Sequence, residues 1–415
     1  MTTVELAAET ADTLADLYRQ LHADPELSFQ EHQTAARIVD ALADTGCEIT
    51  QHVGGTGVVA VLPNGNGPVI MLRADMDALP VSEDTGLPYA STKVVVDATG
   101  KSMPVAHACG HDMHVAALVG AVGELFRLRE RWAGTVVAVF QPAEELASGA
   151  QAMIDAGLFE RFPRPSIVLG QHVGPLPAGT IGHGQGPVMA ATDSVQVTLF
   201  GRGGHGSQPE GTIDPVVMAA ATVMRLQGIV SREVPSSERA VVTVGRLQAG
   251  TKENIIPATA ELGVNMRSFT PEVRAQVKAA IERIVTAEAA ASNSPQPPHF
   301  DWNVSGPVLV NDPAATAKTV AAFEREFGAE RLIPLPPMAA SEDVGVFGET
   351  LGVPTVFWFW GGVTQDVFND ALSRGELPPM NHSPEFAPAI EPTLTTGVQA
   401  MTTAALTWLG SAPTS

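Results

Sequence analysis

The sequence predicts an α/β protein whose mixed, largely parallel sheet is interrupted by a smaller α+β domain. The chain has 415 residues, of which 45% are hydrophobic, so it exceeds one ordinary domain and can bury a large core. Short apolar runs alternate with helix-period segments in the first and last parts of the chain, which is typical of strands and helices around a parallel sheet. Near residue 188 the pattern changes to an alternation of period 2, which indicates strands with one solvated face.

The first 170 residues alternate between helical periodicity and short apolar runs. Glycine or proline ends the helices, and the turn signal Pro-Asn-Gly-Asn-Gly-Pro joins two strands that are predicted to be neighbours. In chain order, the predicted elements are helices over 6–22 and 31–43, strands at 58–62 and 69–72, a helix over 115–131, and strands at 136–140 and 167–169.

The middle of the chain predicts a βαββαβ unit, the arrangement of ferredoxin-like open-faced sandwiches. A stretch at 292–298 that is rich in Ser, Asn, Pro and Gln resembles a linker leading back to the first domain. Residues 1–187 and 302–415 are therefore predicted to form one domain, which residues 188–301 interrupt. The predicted elements of the inserted unit are strands at 194–200, 240–247 and 258–266 and helices over 215–229 and 271–291.

Charge and hydropathy exclude several classes of partner. The net charge is −21 and no basic stripe is visible, so we expect neither nucleic acid nor a membrane surface as partner. The N-terminus lacks the pattern of a signal peptide, and the longest apolar run, 353–363, is too short to cross a bilayer and predicts a buried strand. The two cysteines, Cys47 and Cys109, favour a reducing cytoplasm, with a disulfide between them as the alternative.

The candidate chemistry centres on the segment Val105-Ala-His-Ala-Cys-Gly-His-Asp-Met-His114. Thiolate and imidazole at a two-residue spacing suit zinc-like ions, and such a site can activate water. Polar clusters also follow four predicted strands, and ligands of open α/β sheets bind beyond the carboxyl ends of the strands. The sequence therefore predicts a metal-dependent hydrolase. The clusters contain Asp75 and Asp77, Glu144 and Glu145, His172, and Asn381 with His382.

Nine motifs occur in order along nearly the whole chain: HADPELSFQE, RADMDALP, HACGHDMH, FQPAEE, GQHV, GRGGHGSQP, ENIIP, SEDVG and NHSPEFAP. Together they resemble the metal-dependent aminoacylase and amidohydrolase family. That family includes hippurate hydrolases, N-acetyl-amino-acid deacetylases and indoleacetyl–amino acid hydrolases, within the superfamily of zinc aminoacylases and carboxypeptidases. The resemblance implies a catalytic domain with a dinuclear metal site and an inserted lid domain through which two copies dimerise.

The resemblance also implies roles for individual residues. Cys109 would bridge two divalent ions, for which zinc, manganese and cobalt are the candidates. Glu144 would be the general base and Glu145 a ligand, although the reverse assignment stays open. Asp75 would orient a ligand from the second layer of the site, where we also expect His114. The remaining metal ligands would be His111, Glu145, His172 and His382.

The inserted domain carries a second group of candidates. His205 lies in a glycine-rich loop that resembles the family loop whose histidine stabilises the oxyanion, in its own subunit or in the partner. Arg202 and Gly206 depart from the lysine and alanine that the family usually has in this loop. Asn254 and Arg267 resemble positions that bind the carbonyl and the carboxylate of the substrate.

The predicted function is metal-dependent hydrolysis of an N-acyl amino acid (hippurate-like, N-acetyl or aryl-acetyl) by a metal-bridging hydroxide. This small-molecule substrate would bind to a cytoplasmic homodimer. A metallo-dipeptidase or carboxypeptidase is the alternative, and a non-catalytic binding protein is a second one, against which the presence of Glu144 argues. Apolar residues at 187–190 and 358–360 suggest room for a bulky acyl group. We expect four histidines to be surface residues: His22, His32, His52 and His299.

Overall fold

The computed structural model describes residues 4–96 and 100–411, which form two compact units. The larger unit contains residues 4–186, 310–336 and 343–411, and the smaller contains 187–309 and 337–342. Each unit buries an apolar core of its own.

Twelve α-helices lie in the described part of the chain. They are α1 (Ala8–Ala23), α2 (His32–Leu42), α3 (His111–Arg127), α4 (Gly149–Asp155), α5 (Leu158–Arg161), α6 (Pro215–Leu226), α7 (Gly228–Arg232), α8 (Pro271–Ala291), α9 (Pro313–Phe327), α10 (Gly345–Leu351), α11 (Gln365–Ser373) and α12 (Thr393–Trp408).

Nineteen strands lie in the same residues, and several of them are very short. They are β1 (Glu48–Val53), β2 (Gly57–Asn64), β3 (Val69–Asp75), β4 (Val94–Val96), β5 (Ser102–Pro104), β6 (Trp132–Gln141), β7 (Val168–Pro177), β8 (Ile181–His183), β9 (Gly186–Met189), β10 (Ala191–Phe200), β11 (Gly204–His205), β12 (Ala240–Ala249), β13 (Ile255–Ile256), β14 (Thr259–Ser268), β15 (His299–Gly306), β16 (Leu309–Asn311), β17 (Leu332–Pro334), β18 (Thr355–Val363) and β19 (Gly410–Ser411).

Within the described residues, the larger unit is built on a mixed sheet of nine strands. The strand order is β1-β2-β6-β3-β7-β18-β8-β17, and β19 pairs with β6. Its central strands β6, β3, β7 and β18 are parallel to one another, whereas β1, β2 and β8 bring antiparallel pairings to the flanks. Every residue of β18 is buried, as expected for a strand in the parallel centre of a sheet. The predicted α/β class is confirmed.

One predicted pairing in this sheet is wrong. The strands β2 and β3 are not neighbours, because β6 lies between them, antiparallel to β2 and parallel to β3. Nine of the ten residues of β6 are buried, and a strand of this kind needs a neighbour on each edge and cover on both faces. The turn after β2 therefore carries the chain across β6 instead of closing a hairpin.

Helix α3 is the central helix of the larger unit and carries the cysteine–histidine motif at its start. Fourteen of its seventeen residues are buried, which is typical of a helix that is covered on all sides. A Cβ atom at Gly120 would lie 2.6 Å from side-chain atoms of Leu14 and Val398, so this glycine allows α1 and α12 to approach closely. The helix begins at His111, earlier than the predicted residue 115, and its cap, Gly110, has a φ of 82°.

The smaller unit is a four-stranded antiparallel sheet with the order β12-β14-β10-β15. Helices α6 and α8 pack against β14 and against each other. The order of elements along the chain is the predicted βαββαβ, although the helix predicted over 215–229 is divided into α6 and α7. Among the described helices, none combines the length and the apolar character that crossing a membrane requires.

Candidate metal centre

The five predicted metal ligands all lie in the larger unit. Cys109 and His111 flank the start of α3, Glu145 lies in a short 3-10 turn after β6, His172 lies within β7, and His382 follows α11. Four of them are largely buried, whereas the side chain of His382 is 54% exposed. The site is therefore open to solvent on the side of His382.

The structure brings the donor atoms of these residues together. Cys109 Sγ lies 3.4 Å from His172 Nε2, and Glu145 Oε1 lies 3.3 Å from His382 Nε2 and 4.0 Å from His111 Nε2. One donor atom from each of Cys109, His111 and Glu145 lies within 4.8 Å of the other two. Residues from four separate segments of the chain thus meet in one cluster.

Two atoms of this cluster indicate that it is built for a cation. Within residues 4–96 and 100–411, His111 Nε2 and Glu145 Oε1 are among the few buried side-chain atoms that have no hydrogen-bond partner. Leaving such an atom unsatisfied costs about 1–3 kcal/mol. A thiol, imidazoles and a carboxylate are the donors that zinc and related transition metals use. These residues therefore fit a site for divalent metal.

The protonation states of the cluster also favour a bound cation. Burial raises the pKa of the Cys109 thiol, so this group keeps its proton until a cation displaces it. The neighbouring Cys109 and Glu145 side chains raise the pKa of His382 to about 10. A positive charge, whether proton or metal ion, is therefore favoured next to Glu145.

Asp77 orients His111 and also the loop that carries the two glutamates. Its Oδ1 accepts a hydrogen bond from His111 Nδ1 at 3.2 Å and one from the backbone N–H of Glu144 at 3.1 Å. Its Oδ2 accepts from Ser28 Oγ at 2.6 Å and from the backbone N–H of Glu145 at 3.1 Å. Burial would raise the pKa of Asp77, but the hydrogen bond and the charge of His111, together with the hydrogen bond from Ser28, outweigh burial and lower that pKa. Because Nδ1 donates to Asp77, His111 presents Nε2 to the cluster.

Asp75 has a different position from Asp77. It is hydrogen-bonded to His114 Nδ1, and His114 Nε2 accepts the backbone N–H of Val173 at 2.9 Å, so His114 is neutral with its proton on Nδ1. His172 Nδ1 donates to the carbonyl oxygen of Val173 at 2.7 Å, which turns His172 Nε2 towards the cluster. Asp75 thus supports His172 indirectly, and its carboxylate also lies 3.6 Å from His111 Nε2. Its assigned role stays a prediction.

A buried arginine balances the charge at Asp75. Burial would raise the pKa of this carboxyl group, but the Arg73 guanidinium, 2.7 Å away, holds it well below its usual range. Arg73 also donates to Gln141 Oε1 at 2.9 Å and to Asp343 Oδ1 at 3.2 Å. The strand β3 therefore ends in a fixed network of charges beneath the cluster.

The backbone is strained where the ligands are carried. Ala143 and Ala147, which flank the two glutamates, have φ values of 50° and 48°, and His382 has a φ of 70°. Residues other than glycine rarely adopt this left-handed region, and such outliers concentrate at functional sites. The Glu144 carboxylate, with Oε2 at 4.0 Å from His111 Nε2, is presented by this same strained turn.

The three candidates of the inserted domain lie in the smaller unit. His205 in β11 pairs with Ile255, and the neighbouring N–H of Gly206 donates to the carbonyl oxygen of Asn254 at 2.9 Å. His205 and Asn254 are exposed. Arg267 in β14 is half-buried and donates to Asn265 Oδ1 and to Ser341 Oγ. The roles of His205, Asn254 and Arg267 stay predictions.

Several expectations about individual side chains need correction. His22 is buried with 1% exposure, because it lies on the inner face of α1, whereas His32, His52 and His299 are exposed as expected. Trp358 and Trp360 do not line a pocket, since both are buried in the core and their indole N–H groups donate to Gln171 and to the carbonyl oxygen of Thr393. Both cysteines carry free thiols.

Comparison with known proteins identifies the family. The family model described as Peptidase family M20/M25/M40 matches residues 71–373. The chain belongs to this family. It is 40% identical over 302 residues to an N-acetylcysteine deacetylase of Bacillus subtilis, with 72% of this chain and 76% of that protein covered. It is 38% identical over 333 residues to a hippurate hydrolase of Campylobacter jejuni, with 80% and 83% covered.

A solved structure of the M20 family agrees with this assignment. A dinuclear metal-binding peptidase from Bacillus subtilis matches with a TM-score of 0.75 and 31% identity, over 96% of this chain and 98% of that one. The predicted amidohydrolase branch, the fold class and the enzyme class are thereby confirmed. The protein is a hydrolase of the M20 family that acts on amide bonds, and it contains a cluster of thiol, imidazole and carboxylate groups that could hold a metal ion.

Proposed function

We propose that this M20 enzyme hydrolyses the amide bond of N-acyl amino acids with two divalent metal ions. The observation that carries the proposal is the cluster in which buried donor atoms without hydrogen-bond partners face a thiol and further imidazoles. The relatives that act on N-acetylcysteine and hippurate support an N-acyl amino acid as the substrate class. The proposed ligands are Cys109, His111, Glu145, His172 and His382.

The geometry supports a division of labour between the adjacent glutamates. Glu145 Oε1 lies 3.3 Å from His382 Nε2 and 4.0 Å from His111 Nε2, so it lies near two of the other proposed ligands. Glu144 Oε2 lies 4.0 Å from His111 Nε2, at the edge of the same cluster. Bound metal ions would lower the pKa of a coordinated water towards about 7 and polarise the amide carbonyl. Glu144 would accept the proton of the attacking water and pass it to the departing amine, which general catalysis by a positioned carboxylate can accelerate by about 10²–10⁴-fold.

The smaller unit would supply the contacts with substrate. Arg267 is oriented by Asn265 and Ser341 through Nε and Nη1, which leaves Nη2 to donate to the carboxylate of the amino acid. His205 would donate to the developing oxyanion, a contact worth about 2.7–4 kcal/mol of the barrier. Asn254 lies beside His205 and would donate to the substrate carbonyl. A homodimer through the smaller unit, with His205 reaching the partner's site, belongs to the same proposal.

A substrate panel tests this function. The protein is stripped of metal, reloaded with zinc, manganese or cobalt, and offered hippurate, N-acetyl amino acids, indoleacetyl conjugates and dipeptides. We expect release of free amino acid from the N-acyl substrates, and only after metal is returned. Cleavage confined to dipeptides would establish the dipeptidase or carboxypeptidase alternative. Binding of two ions without turnover of any substrate would contradict the proposal.

A further inference from the structure

A buried histidine outside the ligand cluster links two segments that carry ligands. The side chains of His22, Asp112 and Glu83 are 1%, 0% and 2% exposed, respectively. His22 Nδ1 lies 2.6 Å from Asp112 Oδ2, and His22 Nε2 lies 3.0 Å from Glu83 Oε1. Both ring nitrogens face carboxylates, so both donate and the ring is an imidazolium. One cation thus joins two buried anions.

The charges of this group suit the helices that hold them. His22 lies in the last turn of α1, and Asp112 lies in the first turn of α3. A cation at the C-terminus of a helix and an anion at the N-terminus are both favoured by the helix dipole. Burial opposes the charge on His22, but Asp112 and Glu83 outweigh it and raise the pKa of His22 to about 10.

Asp112 connects the histidine to the start of α3. It directly follows His111, and its Oδ1 accepts the backbone N–H of Met113 at 2.8 Å. The Asp112 carboxylate therefore contacts His22 through one oxygen and the first turn of α3 through the other. A change at His22 acts on the turn that presents His111 and follows Cys109.

Glu83 connects the histidine to the loop that contains His382. Its Oε2 accepts the backbone N–H of Ser91 at 2.6 Å, which closes the segment between them. The next residue, Asp84, donates its backbone N–H to the carbonyl oxygen of Pro384 at 2.7 Å, two residues after His382. Tyr18, whose ring packs 5.4 Å from that of His22, donates its hydroxyl to the carbonyl oxygen of Pro388 in the same loop.

We propose that His22 is a positioning residue that joins Asp112 to Glu83 and thereby holds His111 and His382 in the arrangement that binds metal. The inference rests on the proposed metal function and goes beyond it, because His22 itself contacts no ligand candidate. Changes to groups that orient metal ligands typically weaken metal affinity or activity about 10–100-fold. We expect an effect of this size at His22.

The test measures cobalt binding by the whole chain and compares His22→Gln with the unaltered protein. The readouts are the affinity for Co²⁺ and the near-ultraviolet absorption that a cobalt–thiolate bond gives at Cys109. We expect His22→Gln to bind Co²⁺ about 10–100-fold more weakly with an altered absorption. In the reloaded enzyme, we expect kcat to fall while KM stays nearly unchanged, because no contact with substrate is removed.

Asn311→Ala is the matched control for a purely structural loss. Asn311 is fully buried and forms hydrogen bonds with both backbone groups of Phe357, so its removal destabilises the same unit without touching His22 or its two carboxylates. The control is expected to melt at a lower temperature and to keep the affinity and the cobalt spectrum.

The outcomes separate this inference from the proposed function. An unaltered protein that binds no Co²⁺ would overturn both. Normal binding by the unaltered protein together with normal affinity and spectrum in His22→Gln would overturn the positioning role alone. Should His22→Gln fail to fold, Glu83→Gln replaces it, because the amide keeps the shape but removes one anion. Weaker Co²⁺ binding by Glu83→Gln supports the role, and unchanged binding refutes it.

Discussion

Replacing Asp77 by asparagine is the sharpest test of how the metal centre is held. Each oxygen of this buried carboxylate accepts two hydrogen bonds, one set from His111 and Glu144 and the other from Ser28 and Glu145. The amide can keep only one of these oxygens. In the less costly orientation of the amide, its NH₂ group faces Ser28 and the backbone N–H of Glu145. The Ser28 hydroxyl can rotate and accept a hydrogen bond from the NH₂ group, whereas the N–H of Glu145 cannot accept one.

The cost follows from this count. One backbone N–H is left facing another donor, which costs about 1–3 kcal/mol, and the bonds to the remaining oxygen lose the assistance of the negative charge. We therefore expect Asp77→Asn to lower the free energy of unfolding by about 2–4 kcal/mol. Metal affinity should fall about 10–100-fold, because His111 keeps only a weaker hydrogen bond to a neutral oxygen and the backbone N–H of Glu145 loses its acceptor.

Two assays check these numbers: urea unfolding of the metal-free protein, and competition with a chelator for bound zinc. Asp312→Ala serves as a control in the same unit, since it removes the cap of α9 at a cost of about 0.5–2 kcal/mol without approaching a ligand. Zinc affinity in Asp77→Asn within twofold of the unaltered protein would refute the reasoning, whatever the loss of stability.

Three further predictions concern the base, the metal and His22. Glu144→Gln should keep both ions and lose about 10²–10⁴-fold in kcat, and a normal kcat would exclude Glu144 as the base. Removal of metal should lower the melting temperature, since a ligand present at a free concentration of 1,000 times its Kd stabilises the folded protein by about 4.1 kcal/mol. An unchanged melting temperature after verified removal would contradict this prediction. Because the pKa of His22 is raised to about 10, the stability that its charge contributes is complete below about pH 6.5 and disappears as the pH rises through 10. In pH-dependent unfolding of the metal-free protein, the difference in free energy of unfolding between the unaltered chain and His22→Gln should therefore shrink between these two pH values. A constant difference would contradict this prediction.

The fold could be predicted where the signal is local. The helix predicted over 271–291 is α8 with the same bounds, because its apolar periodicity, the cap at Thr270 and Pro271 all agree. The predicted pairing of β2 with β3 is wrong, because a turn signal carries no information about a strand that follows about 70 residues later in the chain and lies between them. Apolar periodicity predicts the start of α3 four residues too late, because His111 to His114 lack an apolar period.

The same distinction separates the parts of the candidate site. His22 and Asp77 also stand in quoted motifs, HADPELSFQE and RADMDALP, but their roles depend on partners 90 and 67 positions away in the chain. The ligand candidates, in contrast, are residue types whose metal chemistry is evident within their own motifs. A weak local signal for His22 does exist, since it follows Tyr18 and Leu14 at four-residue spacing on the buried face of α1. What the spacing cannot reveal is the pair of carboxylates that this face meets.

The strain at the site gives the metal a second role. Left-handed backbone at Ala143, Ala147 and His382 costs about 1–3 kcal/mol at each position, and the orphaned atoms of His111 and Glu145 add to that. A metal ion present at 1,000 times its Kd stabilises the folded chain by about 4.1 kcal/mol, which offsets part of this cost. The ligand loops are therefore held in costly conformations that metal binding partly offsets, so that affinity for the metal and stability of these loops rise and fall together.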